Sequence, residues 1–325
     1  MRVLVAGATG DVGRPTVARL LRAGHEVDGL TRTPAKVGHL QRLGARPVVA
    51  DVLDADAARG AVEAARPEAV VDLLTALPRR GPVRPSDLKA TNRLRERATV
   101  RLVEAARASG VRRYVAESIV FVYGYGDRGP RPLTEEDPPA SVDEVPGPYL
   151  PALRAALGKE RRVTEEAPEG IAIRFGVFYG PHTGSTRYMA RMLRNRMLGL
   201  PGGGRGLVAW VHVEDAAAAT VSALERGNPG GVYNVVDDLA ASFRDFTEAL
   251  ARAAGLPQPY GVPEWLVRPM LPYAVLFMSR TRLVVSNVLA KRDLGWLPAF
   301  TTYREGVLDV AASLRGRTTG RSALS

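Results

Sequence analysis

The 325-residue chain contains no cysteine, which excludes a disulfide framework and any thiolate zinc site. That fits a reducing compartment, and a cytoplasmic location is expected. Lysine is scarce: it stands only at 36, 89, 159 and 291, so arginine carries nearly all of the 45 basic residues and the formal charge of +11. The arginines are scattered, and no zinc finger or aromatic-basic RNA signature accompanies them, so nucleic-acid binding is not expected. Their densest cluster, RYMARMLRNRM (187–197), puts Arg187, Arg191 and Arg194 on one helical face. A solvated face is the ordinary reading and an anion site the sharper one. Long apolar runs are also missing. WLVRPMLPYAVLFM (265–278) is broken by Arg268, Pro269 and Pro272, and a membrane span needs about 20 apolar residues. No histidine pair or carboxylate cluster has metal-ligand spacing, so no catalytic metal is expected. The opening MRVLVAGATG lacks a basic n-region and a cleavage site and reads as a first strand.

What is present is alternation. RVLVAG, HEVDGLTR, RPVVADV, AVVDLL and RRYVAES are short β-branched runs separated by helical patterns. Strands alternating with helices predict right-handed βαβ units and a doubly wound parallel α/β sheet of Rossmann type. A proline- and acid-rich stretch at 126–148 interrupts the pattern and is expected to be a loop lying over a binding site. The expected division is a dinucleotide-binding domain of 1–180 plus 208–236 and a smaller, mostly helical substrate lobe of 181–207 plus 237–315. The segment 316–325 is expected to fray.

GATGDVG places Gly7, Gly10 and Gly13 after the first strand and before a helix. One glycine permits the tight turn, one lets backbone approach a pyrophosphate, and one lets helix and strand pack closely. The phosphates then meet the helix N-terminus, where free N–H groups favour anions. At the end of the second strand an acidic residue would accept the ribose hydroxyls of NAD. Here the strand ends at Thr31-Arg32 with Lys36 one turn on, while Asp28 lies too early. A guanidinium grips a 2′-phosphate bidentately, so NADP(H) is favoured over NAD(H). The candidate nucleotide contacts are Gly7, Thr9, Gly10, Asp11, Val12 and Gly13 in the loop, with Arg32 and Lys36 after the second strand. Asp51 and Val52 follow the third strand, Leu74 and Ala76 the fourth, and Phe175 closes a later one.

On these residues the chain resembles the extended short-chain dehydrogenase/reductases, the NAD-dependent epimerase/dehydratase family, over roughly 1–310. GATGDVG has the spacing of the family's GxxGxxG, DVLD (51–54) is similar to its adenine-side motif, and TN (91–92) to the start of its fourth helix. ESIVFVYG (117–124) is similar to SSxxVYG, IRFGVFYGP (173–181) to LRxxNVYGP, WVHVEDAA (210–217) to HVxDxA, and DLGWLP (293–298) to LGWxP. The resemblance implies a serine, a tyrosine and a lysine around the nicotinamide. The tyrosine moves a proton, the lysine lowers its pKa, and the serine holds the substrate oxygen. It also implies a homodimer through helices at 92–109 and 151–166.

The catalytic motif departs from that pattern. Ser118 matches the first of the paired serines, and the second is Ile119. Tyr149 lies twenty-five residues before Arg174, the usual separation for the catalytic tyrosine, yet the lysine position is Leu153. A second register matches Glu160 to the glutamate that follows the lysine, and it places the pair at Ala152 and Ala156. Lys159 stands nearly three helical turns beyond Tyr149. Ser118 and Tyr149 are the candidate catalytic residues, with Glu117, Tyr123, Tyr125 and His182 as other proton carriers; His212 reads as structural beside Asp215. Sugar-nucleotide epimerases of the family hold a diphosphate with an arginine where this chain has Val208, and Arg205 is a poor match.

Together with the apolar stretch at 263–278, that absence favours a small hydrophobic substrate. Three readings stay open. The first is an NADP(H)-dependent reductase or dehydrogenase acting on a carbonyl or hydroxyl. The second is an epimerase, isomerase or lyase on the same scaffold, and the third a non-catalytic NADP-binding sensor.

Overall fold

A chain of aliphatic strands joined by helices has to return each strand from the same end, and it therefore builds a parallel sheet. A computed structural model describes residues 1–322 and shows seven such strands: β1 (Arg2–Ala6), β2 (Glu26–Thr31), β3 (Arg46–Val49), β4 (Ala69–Asp72), β5 (Arg113–Ile119), β6 (Gly170–Phe175) and β7 (Val232–Val235). They pair in the order β3-β2-β1-β4-β5-β6-β7, each neighbour parallel. The order reverses between β1 and β4, which opens a crevice at the carboxyl ends of those strands. Val3, Leu4, Val5, Val70, Val71, Ile171 and Ile173 are fully buried, as expected for a sheet covered by helices on both faces.

Three two-stranded sheets extend the molecule past β6. Val177–Tyr179 runs parallel to Trp210–His212, Leu207–Val208 antiparallel to Ala241–Ser242, and Gly199–Pro201 parallel to Tyr260–Val262. Of the stretch 208–236, β7 joins the main sheet, while Trp210–His212 pairs outside it. Stacked Trp210 and Phe246, with ring centroids 4.1 Å apart, anchor the helix Phe243–Ala254 beneath these strands.

The stretch 126–148 behaves differently from expectation. Arg128 N and Leu133 N donate to Arg282 O and Val284 O at 3.0 and 2.9 Å, and Glu135 accepts Asn234 N at 2.7 Å. Its backbone groups thus find partners in the chain around 282–286, and none of its side chains lines the cavity described below. It is a brace, not a cover. The helix Tyr303–Ser322 extends through much of the segment expected to fray, whose last residues, 323–325, lie outside the described residues. Among the described residues no helix is long and apolar enough to cross a membrane.

Candidate active site

The turn from β1 into the helix Gly13–Arg22 is shaped by backbone crowding. Gly7 has φ +84°, and a Cβ there would lie 2.7 Å from Leu73 O. A Cβ on Gly13 would sit 2.0 Å from Gly7 O, so only glycine lets the helix start this close to the strand. The helix has no acidic residue in its first turn, leaving its N-terminal amides suited to phosphate. Thr9, Gly10, Asp11, Val12 and Gly13 line one end of a cavity of about 950 Å³. Asp11 also accepts Gly184 N at 3.0 Å, tying this loop to the helix Gly184–Arg194.

Lys36 lines the same end and donates to Thr9 Oγ1 at 3.2 Å. Burial lowers the pKa of His39, and the charges of Arg14, Arg42 and Lys36 lower it further, marking a cluster of cations there. Asp28 is buried in β2 and bonded to Arg46 of β3, with Nη2 2.8 Å from Oδ2. No carboxylate stands at the end of β2, and Arg32 is exposed beside it. Of the other expected nucleotide contacts, Phe175 lines the cavity. Leu74 and Ala76 turn instead toward the core on the opposite face of the sheet, and Leu73 and Thr75 line the cavity in their place. Asp51 caps a turn by accepting Leu53 N, and Val52 is core; neither lines the cavity.

Contacts of the helix Leu150–Glu166 fix which of its residues face the cavity. Ser118 donates to Glu160, and Arg174 of β6 holds the same carboxylate with Nε and Nη2 at 2.9 and 2.7 Å. Counting back by helical turns from Glu160, Ala156 and Ala152 lie on the cavity face together with Leu153. Ala152 and Ala156 are the two positions of the register counted through Glu160, and both present methyl groups to the cavity.

Tyr149 is placed in aromatic packing away from the cavity. Its ring lies 5.6 Å from Tyr125 and 5.5 Å from Tyr273, its hydroxyl makes no hydrogen bond among the described residues, and it does not line the cavity. Burial raises its pKa, the wrong direction for a proton donor matched to neutral pH. Lys159 is buried too, with Nζ 3.0 Å from Asp72 and 3.1 Å from Glu117. Tyr123 is structural: its hydroxyl bonds Arg174, Asn234 and Thr134 O. His182 stands exposed at the cavity's edge. His212 caps the helix Val213–Arg226 by accepting Glu214 N, and burial and Arg19 hold its pKa at about 4 despite Asp309 3.4 Å from Nε2. Asp215 accepts Ala299 N and Phe300 N, anchoring the chain that follows Trp296.

Away from the glycine turn the cavity is apolar and aromatic. Phe121, Tyr125, Tyr273 and Phe277 form one wall, and Met189, Met192 and Met278 contribute to the rest. Arg187 reaches the cavity without an ion-pair partner among the described residues, whereas Arg191 sits over the Tyr188 ring at 5.3 Å. Val208 is buried in its strand and Arg205 is exposed.

A profile of the NAD dependent epimerase/dehydratase family matches residues 3–236. The chain belongs to that family. Among its relatives is a 3-diazoavenalumate denitrifying reductase from Streptomyces, 39% identical over 94% of this chain and 99% of the relative. A UDP-glucose 4-epimerase from Mycolicibacterium smegmatis is 29% identical over 98% of this chain and 99% of its own. The solved UDP-glucose 4-epimerase of Thermus thermophilus, a complex with NAD, superposes with a TM-score of 0.76 at 23% identity, covering 97% and 99% of the two chains. That last likeness is one of fold. The relatives make this epimerase/dehydratase family member an oxidoreductase or epimerase of short-chain dehydrogenase/reductase type.

Sequence reasoning missed two parts of the site. The segment 78–83 between β4 and the helix Lys89–Arg93 lines the cavity; its Pro and Gly content signalled a loop but not its place. Arg95 lines the cavity floor, and nothing in an arginine-rich helix marked it out.

Proposed function

We propose that the protein is an NADP(H)-dependent reductase of a small aromatic metabolite, and that the group it reduces takes a hydride without drawing a proton from the protein. One observation carries this reading: alanines at 152 and 156 face the cavity where the family's mechanism needs a tyrosine and a lysine. Reducing a carbonyl leaves an alkoxide that must be protonated, and epimerisation through a ketone must first deprotonate a hydroxyl. Tyr125 and Tyr273 border the space, but burial raises the pKa of both. A diazo carbon makes neither demand, and the denitrifying reductase is the relative that points to it.

The nucleotide, when bound, supplies a hydride, and transfer to an aryl diazonium forms a C–H bond while the C–N bonding pair leaves with N2, so arene, N2 and NADP⁺ balance the reactants. The chain's own part is to hold and exclude. The Gly7–Gly13 turn and the first turn of the following helix would hold the pyrophosphate, and Lys36, Arg32 and Arg14 the 2′-phosphate. Ser118, fixed by Glu160, limits where a substrate's polar edge can lie. The lobe of 181–207 and 237–315 would supply Met189, Met192, Tyr273 and Phe277 to keep water from the reacting carbon.

Purified protein is incubated with NADPH and 4-hydroxybenzenediazonium labelled with ¹⁵N, beside a panel of aromatic aldehydes and ketones. Release of one labelled N2 per NADPH oxidised, absent with heat-denatured protein, is the expected result. NADPH oxidation with the carbonyl compounds alone, or with none of the panel, overturns the reading.

A further inference from the structure

Beneath the cavity four buried charges alternate in sign. Lys159 Nζ lies 3.0 Å from Asp72 Oδ2 and 3.1 Å from Glu117 Oε1. Arg95 in turn donates to Glu117 from Nε at 3.2 Å and Nη2 at 2.9 Å. The negative end of this row is closed: Asp72 also accepts Thr99 Oγ1, the Tyr114 hydroxyl and Leu74 N. The positive end is open. Arg95 lines the cavity, and its Nη1 has no hydrogen-bond partner among the described residues. A row that is neutral in sum thus turns a cation toward the cavity.

The helix brings Arg95 there by a local change of winding. Residues Leu94–Ala98 form a π-turn between the α-helical stretches Lys89–Arg93 and Thr99–Ala108. Such one-turn insertions are frequent at functional sites. Burial works against the charge of Arg95, but Glu117 outweighs it and raises the guanidinium pKa. Two more donors stand close. The hydroxyls of Tyr125 and Tyr273 are 3.4 Å apart, and the charge of Arg95 acts on both phenols. The surrounding wall is Phe121 and Phe277, with ring centroids 5.1 Å apart. The space opposite is opened by Ala152 and Ala156.

We propose that Arg95, with the hydroxyls of Tyr125 and Tyr273, binds an anionic oxygen of an aromatic substrate, a phenolate or a carboxylate, and that Glu117 and Lys159 are positioning residues holding the guanidinium for it. The geometry suits this chemistry because a charged donor with one free edge, set in an apolar wall, gains most from an anion delivered on a ring. The proposal rests on the reading of this cavity as the site of an aromatic metabolite, but not on the reaction carried out in it.

Calorimetric titration of the NADP⁺-loaded protein tests it without turnover. The probes are 4-hydroxycinnamate, 4-methoxycinnamate, methyl 4-hydroxycinnamate and the neutral methyl 4-methoxycinnamate. Arg95→Met weakens 4-hydroxycinnamate at least tenfold, Arg95→Lys weakens it less, and NADP⁺ affinity stays within twofold in both, which reports an intact fold. The compound lacking the oxygen that Arg95 holds binds wild type and Arg95→Met alike, so the methoxy acid marks a phenolate site and the hydroxy ester a carboxylate site. Glu117→Gln shrinks the preference for 4-hydroxycinnamate over the neutral ester at unchanged NADP⁺ affinity. Tyr125→Phe combined with Tyr273→Phe keeps both rings and lowers the same preference.

Equal binding of 4-hydroxycinnamate by wild type, Arg95→Met and the double phenylalanine variant overturns the proposal. So does a wild type that does not distinguish the acids and phenols from the neutral ester. Failure of N2 release with this binding pattern intact sinks the diazo reading and leaves Arg95 in its role.

Discussion

Ser118 donates its hydroxyl hydrogen to Glu160, and this contact sets how the helix Leu150–Glu166 is turned toward the cavity. With Arg174 on the same carboxylate, the helix cannot rotate to bring Tyr149 inward without stranding a buried ion pair. Breaking such a pair costs about 3–5 kcal/mol. The methyl groups of Ala152 and Ala156 at the cavity follow from that constraint, not from local preference.

Tyr149→Phe is therefore a mild change. The ring keeps its packing against Tyr125 and Tyr273, and the lost hydroxyl leaves no donor or acceptor stranded. Steady-state kinetics are expected to show kcat/KM within about twofold of wild type. A drop of a thousandfold would restore Tyr149 as the proton donor.

Ala152→Tyr acts in the opposite sense. It refills the space with a phenol that the proposed hydride acceptor does not use. A loss of at least about tenfold in kcat/KM for the aromatic substrate is expected, with the Kd for NADPH unchanged by fluorescence titration. A gain of carbonyl reduction without loss of the original activity would contradict the role given to the empty space.

Lys36→Glu together with Arg32→Glu reverses the charge at the adenosine end. The Kd for NADPH is expected to rise at least about tenfold while that for NADH stays within about threefold, because only NADPH carries the 2′-phosphate. Equal weakening of both nucleotides would remove the basis for NADP(H).

Glu117 links the site to acid stability. Burial alone would raise its pKa, but Arg95 and Lys159 outweigh this and hold it at about 2, against an ordinary 4.5. A depressed carboxylate stabilises the fold fully above its unfolded pKa and loses that contribution as pH falls from 4.5 through about 2. The contribution is about 3 kcal/mol at about 1.4 kcal/mol per pKa unit. Urea unfolding at pH 7 and pH 3 is expected to show a steep loss in wild type and a shallower one in Glu117→Gln, which starts about 3–5 kcal/mol lower. Parallel pH slopes in the two proteins would deny the carboxylate this part.

The sheet and the glycine turn were readable because backbone geometry leaves few substitutes: nothing but glycine fits at Gly13, 2.0 Å from a carbonyl oxygen once a Cβ is added. The catalytic register was readable only as two candidates, since a helix tells its face by its partners, and the partners Ser118 and Arg174 lie 42 and 14 residues from Glu160. The stretch 126–148 misled because its hydrogen-bonding partners lie far along the chain at 282–286. Tyr273 and Phe277 belong to the apolar stretch 263–278, and their place in the cavity wall is set by packing that the stretch's composition does not reveal. Arg95 was invisible because a π-turn has no composition of its own; its widened ring of hydrogen bonds appears only in three dimensions.

That π-turn at Leu94–Ala98 separates two tasks along one helix. The following turns, Thr99–Ala108, bury Leu102, Val103 and Ala106 against the sheet side of the molecule, and their phase is fixed by that packing. The turns before it are phased by the cavity. A π-turn holds one residue more than the α-turn it replaces, so the extra residue is taken up locally, and Arg95 lines the cavity while the turns after it keep their core face. One residue of extra length in this turn thus sets the surface beneath the cavity apart from the packing of the helix on the sheet.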